Sequence, residues 1–378
     1  MDIIRKTYPN LTDEIYNEIE RVLHAGFKTE PSLMFDWDKK LAYTRSVYRD
    51  VSNTLQLRYP VPRGQLKLFT ETLLTLTLAF EKCNIQTVLY IGAAPGTNII
   101  AISKLFPAIN FYLYDPASFD PELFRCPNVT IINTFFTEST VELYRDMQDL
   151  LFISDIRTGR VENLEGNSGD SQFEICVARD MQLQMEWTVA LNPTAASLKF
   201  RPPYIETDDV LIEYLDGILI KQPFSRNTST EGRLTSFRPY TTRTYSSKEY
   251  QDMMFYYNTI TREWVRYHCV PPAELEGYAR IMPGLCTCED WTIFIACCKK
   301  YNPSIAAVAK TIKTVYLFLR QSPDYGNIRH GYGSYNSTRL DDHISVILYS
   351  PAAHAAKTRR EAHFKTLNLP LCHAKDII

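Results

Sequence analysis

The chain has 378 residues, 45% of them hydrophobic and 12% aromatic, with 41 basic side chains against 43 acidic ones. That length and apolar content bury one large core or two modest ones, and a net charge of −2 excludes a polycation that coats nucleic acid along its whole surface. With no apolar stretch of spanning length, no signal-peptide core in the first residues and nine irregularly spaced cysteines, a soluble intracellular protein with free thiols is expected.

Residues 1–60 read as a helical extension, with Thr12 as N-cap, Asp13 and Glu14 in the first turn, and Ile15, Ile19, Val22 and Leu23 at helical spacing. Gln65–Phe80 is a second helix, apolar along Leu66, Phe69, Leu73, Leu76 and Phe80. Thr87–Ile91 is a short apolar run broken at Gly92, the pattern of a buried parallel strand that turns sharply. It feeds a helix over Asn98–Phe106, which Pro107 stops. Further strands are expected at Asn110–Asp115, Val129–Phe136, Leu150–Ile156 and Ala195–Phe200, with helices near 138–148 and 172–190. Val210–Ile220 and Leu234–Tyr245 read as an antiparallel continuation, 247–320 as mostly helical, and the polar stretch from Ser322 as loop-rich. The predicted fold class is α/β: a Rossmann-like sheet over 61–260 with helices on both faces and an antiparallel extension. Residues 1–60 precede it and a C-terminal helical region with a polar tail, 261–378, follows.

In such sheets the ligand lies at the carboxyl ends of the strands. The loop after the first strand, Gly92-Ala93-Ala94-Pro95-Gly96, lacks the G-x-G-x-x-G fingerprint, and Pro95 removes an N–H that a phosphate cradle would use. A nicotinamide dehydrogenase is therefore disfavoured. Gly92 and Gly96 let a ligand approach the backbone where a Cβ would block it, although an ordinary strand-to-helix turn also uses glycine. Asp115 closes the second strand, where an acid in this fold binds ribose hydroxyls, and Asp155 closes the fourth, a position Asp also takes in plain turns. Alternation over Ser197–Arg201 puts Ser197, Lys199 and Arg201 on one face. A lysine there either snorkels to the surface or meets Asp155. Lys221, Arg226, Arg233, Arg238, Arg243 and Lys248 face a single acid, Glu231, a pattern that suits an RNA groove or a solvated basic hairpin. Cys269, Cys286, Cys288, Cys297 and Cys298 beside His268 contain no C-x-x-C pair, so no metal is expected.

The G-x-x-P-G form of the loop resembles the S-adenosylmethionine loop of 2′-O-ribose methyltransferases. Five segments extend the likeness: Gly64-Gln65-Leu66-Lys67-Leu68, Tyr90–Thr97, Ile153–Arg157, Asn192-Pro193 with Ser197–Arg201, and Gln222-Pro223-Phe224 followed by Glu231. In that order they closely resemble the poxvirus-type cap-specific mRNA 2′-O-methyltransferases, a family whose members double as the small subunit of the viral poly(A) polymerase. The resemblance runs from about Gln65 to Asn258.

The resemblance implies a Lys-Asp-Lys-Glu tetrad at Lys67, Asp155, Lys199 and Glu231. A ribose 2′-OH must lose its proton, or nearly so, to attack a sulfonium methyl, and an ordinary lysine with a pKa of about 10.4 is charged at neutral pH. Crowding Lys199 against Lys67 is expected to lower that value while Asp155 and Glu231 oppose the shift, so Lys199 is either a base or an orienting cation. The resemblance places S-adenosyl-L-methionine against Gln65, Tyr90, Gly92, Ala94, Pro95, Gly96, Asp115, Phe136, Asp155 and Ile156, with Ala117 where the family has an arginine. For the cap and RNA it implies Arg201, Tyr204, Glu206, Ser229, Thr230 and Gln251, with Tyr43 or Tyr48 as the second stacking ring around the cationic methylated guanine. Gln251, with Asp252 adjacent, stands where the family has an acid; Tyr204 read without the family is as compatible with core packing. Implied partners are capped mRNA and a poly(A) polymerase catalytic subunit, with cytoplasmic location and neither metal nor membrane. Two other functions stay open: an RNA-clamping subunit without catalysis, and a ribose methyltransferase of ribosomal or transfer RNA.

Overall fold

The structure, a computed structural model, describes residues 12–25, 32–43, 63–158, 169–203, 209–225, 229–264 and 293. The chain divides into two compact units. One comprises Gln65–Gln222 and Thr230–Gln251; to the other belong, among the described residues, 12–25, 32–43, 63–64, 223–225, 229, 252–264 and 293.

The first unit is a doubly wound α/β sheet. After helix α2 (Arg63–Lys82) come β1 (Thr87–Ile91), α3 (Thr97–Leu105), β2 (Asn110–Tyr114), a 3₁₀ turn (Pro121–Arg125), β3 (Val129–Ile132), α4 (Glu138–Tyr144), β4 (Leu150–Ser154), α5 (Gly169–Leu191) and β5 (Ala195–Phe200). Then follow β6 (Leu211–Leu215), β7 (Ile218–Ile220), β8 (Gly232–Phe237), β9 (Thr242–Ser246) and α6 (Ser247–Tyr256). Seven strands pair in the order β3-β2-β1-β4-β5-β8-β7, parallel from β3 to β5 and antiparallel beyond. Strand order reverses between β1 and β4, and right-handed crossovers therefore set the helices of the two halves on opposite faces. The continuous apolar runs of β1, β4 and β5 are what a sheet covered on both sides requires: β4 and β5 are buried at every position and β1 after its first.

Strand ends depart from the sequence pattern for local reasons. β3 stops at Ile132, not Phe136, because the Asn133 side chain turns to donate to the carbonyls of Asp115 and Ala117. Phe136 is buried beyond the strand, edge-on to Tyr114 and Trp187. The stretches 210–220 and 234–245 each split into two strands that join different sheets, since β6 pairs with β9 apart from the main sheet. Gly217 makes the first break: a Cβ there would meet Ser236 Oγ at 2.5 Å and the Thr235 carbonyl at 2.6 Å. The second break is at Arg238-Pro239, where proline cannot donate to a ladder.

The second unit holds α1 (Asp13–Ala25), which Thr12 caps by accepting from the Ile15 N–H. In it a single π-helical stretch, Tyr257–Trp264, continues the chain beyond α6. Tyr256 donates to Glu18, and Phe35 packs edge-on against Tyr257. The bulk of the region expected to be helical after 264, and the cysteine group with His268, lie outside the described residues.

Candidate active site

Lys67, Glu71 and Thr75 recur every four residues on α2 and form one stripe of that helix. Below it, Thr75 and Ser197 of β5 share a hydrogen bond at 3.0 Å, which places the helix over the face of β5 and β8 that carries Ser197 and Lys199. Lys199 pairs with Arg233 across those strands, and Asp155 follows β4 one strand over. Four chain segments far apart in sequence thus deliver charges to one point at the carboxyl end of the parallel strands.

There the charges interleave. Glu231 takes Lys67 Nζ on Oε1 at 2.6 Å and faces Lys199 Nζ with Oε2 at 3.8 Å. Lys199 Nζ lies 3.1 Å from Asp155 Oδ1 and donates to the Asp155 carbonyl at 3.2 Å. A single carboxylate therefore bridges the two lysines. Lys199 does not snorkel, being 8% exposed. Arg157 stands 3.6 Å from Glu231 and 3.8 Å from the buried Asp180, which also accepts from the Thr158 backbone and hydroxyl.

Two members of this network carry no motif. Arg233, 1% exposed, donates from Nη2 to both Asp155 Oδ1 and Glu71 Oε2 at 2.8 Å, and from Nη1 to the Ser154 carbonyl at 2.6 Å. Glu71, also 1% exposed, holds its other oxygen 3.9 Å from Lys67 Nζ. The sequence had grouped Arg233 with a basic groove or solvated hairpin; it and Lys221 are instead buried. The signals that would have found them are the four-residue step from Lys67 to Glu71 and the two-residue step from Glu231 to Arg233.

Charge and burial work against each other here. Burial alone raises the Asp155 carboxyl, but Lys199, Arg233 and Lys67 outweigh it and hold Asp155 below the ordinary carboxylate range. Glu231 is likewise held well below that range, by Lys67 and Lys199 against burial. Burial would lower Lys67, yet Glu71, Glu231 and Asp155 hold its ammonium above the ordinary lysine value. Tyr90, buried in the same neighbourhood, is pushed well above its usual value by burial and then by Asp155.

Beside this cluster, the loop after β1 carries Gly92 at φ 71° and Gly96 at φ 70°, with a cis bond between Ala94 and Pro95. A Cβ on Gly92 would lie 2.8 Å from the Asp155 carbonyl carbon and 2.9 Å from the Ile156 nitrogen. What approaches Gly92 is thus the protein's own β4 loop. Asp115 accepts from the Ala94 N–H on Oδ2 and from the Ala117 N–H on Oδ1. Gln65 is buried and accepts from the Asn98 N–H in the first turn of α3, where Asn98 Nδ2 is buried without an acceptor. Phe136 and Ile156 flank β3 and β4 respectively.

Arg201, just past β5, forms a two-pronged ion pair with Glu174 of α5, donates from Nε to Thr230 Oγ1 at 3.1 Å and stacks over the Phe173 ring. Tyr250 donates to the Thr230 carbonyl, and Gln251 follows it, half-buried. In the other unit the half-buried Tyr43 donates its N–H to Asp252 Oδ1 at 2.9 Å and meets Phe255 edge-on, while the Ser229 carbonyl accepts from Asn258. Tyr48, Tyr204 and Glu206 lie outside the described residues. Among the described residues no cluster of His, Cys, Asp and Glu suited to a metal is present, and no helix is long and apolar enough to cross a membrane.

Comparison with known proteins adds relatives to this geometry. A family model described as the poly(A) polymerase regulatory subunit matches residues 31–270. A cap-specific mRNA (nucleoside-2′-O-)-methyltransferase of Fowlpox virus (strain NVSL) is 32% identical, covering 53% of this chain and 68% of that protein. Proteins of the same name from Myxoma virus, strains Lausanne and Uriarra, are each 30% identical over 53% of this chain and 62% of their own length.

Proposed function

From a chain that belongs to the poly(A) polymerase regulatory subunit family, we propose a cap-specific mRNA 2′-O-methyltransferase that moves a methyl group from S-adenosylmethionine to the ribose 2′-oxygen of the first transcribed nucleotide. The observation that carries the reading is the chain Lys67–Glu231–Lys199–Asp155, closed at both ends by Arg233 and Glu71 and set beside the β1 loop at the reversal of strand order. The name shared by the protein's Fowlpox and Myxoma virus relatives supports it.

The residues present fit the donor. Asp115 stands just past β2 with a carboxylate suited to ribose hydroxyls, and Asn98 Nδ2, in the first turn of α3, is buried without an acceptor of its own. Gln65, Tyr90, Gly92, Ala94, Pro95, Gly96, Asp115, Phe136, Asp155 and Ile156 are assigned to it. When bound, S-adenosylmethionine supplies a methyl carbon on a positively charged sulfur, which leaves as a thioether.

The chain's own task is to aim the 2′-oxygen at that carbon. Lys199 is fixed by two acceptors of Asp155, and Glu231 limits its swing, so an N–H is directed at the hydroxyl oxygen. Held there, the 2′-oxygen would lie in line with the donor's methyl carbon, and the proton it gives up on transfer would pass to solvent water. In-line placement supplies much of the acceleration. Lys67 and Arg157 fix Glu231, and Arg233 fixes Asp155. Arg201 and Thr230 are assigned to the RNA backbone, and Tyr43 to the face of the methylated guanine. A second role, as the RNA-binding partner of a poly(A) polymerase catalytic subunit, is favoured by the family description.

The test uses labelled S-adenosylmethionine with RNAs that end in methylated cap, unmethylated cap or triphosphate, beside a Lys199→Ala variant. Label on capped RNA only, lowered about 10²–10⁴-fold by the substitution, is expected. Equal labelling of triphosphate RNA refutes the cap reading; undiminished labelling by the variant refutes the assigned residues.

A further inference from the structure

We infer that Glu71 is a positioning residue of the methyl-transfer site, one carboxylate on α2 that steadies Arg233 against Asp155 and Lys67 against Glu231. The inference rests on the reading above that Lys67, Asp155, Lys199 and Glu231 carry the reaction.

Glu71 occupies the middle of the Lys67, Glu71, Thr75 stripe, with Thr75 pinned to Ser197 below it. Its place over the sheet is therefore fixed by the helix and not by its own charge. Oε2 accepts from Arg233 Nη2 at 2.8 Å, and the same nitrogen donates to Asp155 Oδ1 at 2.8 Å. Asp155 in turn is the anchor of Lys199. The direction of the Lys199 ammonium thus depends, through Asp155 and Arg233, on a carboxylate that is itself buried.

Glu71 acts a second time through Oε1, which has no hydrogen-bond partner but stands 3.9 Å from Lys67 Nζ. A carboxylate needed only to neutralise a buried arginine would gain nothing from that second placement. The groups that face Lys67 are Glu71 on its own helix, Glu231 on the segment entering β8, and Asp155 after β4. Across the whole cluster Lys67, Arg157, Lys199 and Arg233 are matched by Glu71, Asp155, Asp180 and Glu231. Without the Glu71 charge, one cation is left over in a nearly water-free place. Arg233 then draws on Asp155 alone, at the expense of Lys199.

The test measures methyl transfer to capped RNA by Glu71→Gln, as kcat and KM from about pH 6 to about pH 11, together with thermal unfolding. A kcat lowered about 30–100-fold, with KM for S-adenosylmethionine within about twofold, is expected for a displaced ammonium. The alkaline fall in kcat should begin at lower pH than in the wild type, because Lys67 has lost a carboxylate that holds its proton. Glu71→Asp keeps the charge and should show the wild-type alkaline limb with kcat lowered only about five- to tenfold. If the Gln variant does not fold, the Asp variant decides alone, since a carboxylate one carbon shorter loses the 2.8 Å bond to Arg233 while its charge stays near Lys67. Wild-type kcat in the folded Gln variant, a fall in kcat that merely follows lost thermal stability with the alkaline limb in place, or wild-type kcat in a lone Asp variant overturns the inference. A wild-type protein that transfers no methyl group removes the premise instead, so the two failures are distinct.

Discussion

Arg233→Met removes a cation buried between two carboxylates. The guanidinium is 1% exposed and makes three hydrogen bonds, to Glu71, Asp155 and the Ser154 carbonyl. Its loss leaves Glu71 and Asp155 facing each other with no ion between them, and breaking a buried pair by deleting one partner costs about 3–5 kcal/mol. For a unit of this size that is a fall in melting temperature of about 6–20 °C. Thermal unfolding followed by circular dichroism measures it, with Arg238→Met as the reference. Arg238 follows the strand that carries Arg233 but is exposed, bonding the Asn192 carbonyl and Gln148, so its removal should stay within about 0.5 kcal/mol. Adding Glu71→Gln to Arg233→Met should cost less than Glu71→Gln alone, with a coupling of about 1–3 kcal/mol. A melting temperature for Arg233→Met within about 2 °C of the wild type would show the network is not built as described.

Because Asp155 and Glu231 are held below the ordinary carboxylate range, the unfolded chain takes up protons first on acidification. Stability should therefore fall as the pH drops through and below about 4, and Glu231→Gln should flatten that fall in acid unfolding curves. Lys67 contributes in the opposite sense: its share of stability should be intact at neutral pH and decline only above about pH 10, a limb that Lys67→Met removes. Gly92→Ala sets a Cβ against backbone at positive φ, and should cost about 1–3 kcal/mol and lower methyl transfer by moving Asp155, as unfolding and rate measurements on one preparation would show. Tyr43→Ala should weaken binding of methylated-cap RNA by about 0.5–2 kcal/mol and leave triphosphate RNA unaffected, read by fluorescence anisotropy.

The central sheet was legible because β1, β4 and β5 are short apolar runs that end in Gly92, Asp155 and Lys199, and strands covered on both faces have no other pattern. The β6–β9 pair was not, since where 210–220 and 234–245 break depends on the close approach of Gly217 to Thr235 and Ser236, a contact between strands rather than along one. Lys67, Asp155, Lys199 and Glu231 were visible as motifs. Their partners were not: Glu71 sits in a helix that reads as apolar, and Arg233 in a run that reads as a basic hairpin. Both become evident only when α2 is laid over β8. Gly92 taught the reverse lesson, because the Cβ it lacks is excluded by Asp155 and Ile156, and a sequence shows no such neighbour.

The central claim is that the clustered charges direct a methyl group to one oxygen. Capped, cap-methylated RNA incubated with the protein and S-adenosylmethionine, digested to nucleosides and analysed by mass spectrometry, locates that methyl. One added methyl on the ribose 2′-oxygen of the first transcribed nucleotide is expected, absent with Lys199→Ala. A methyl on a base, on an internal ribose, or on no nucleotide at all would contradict it.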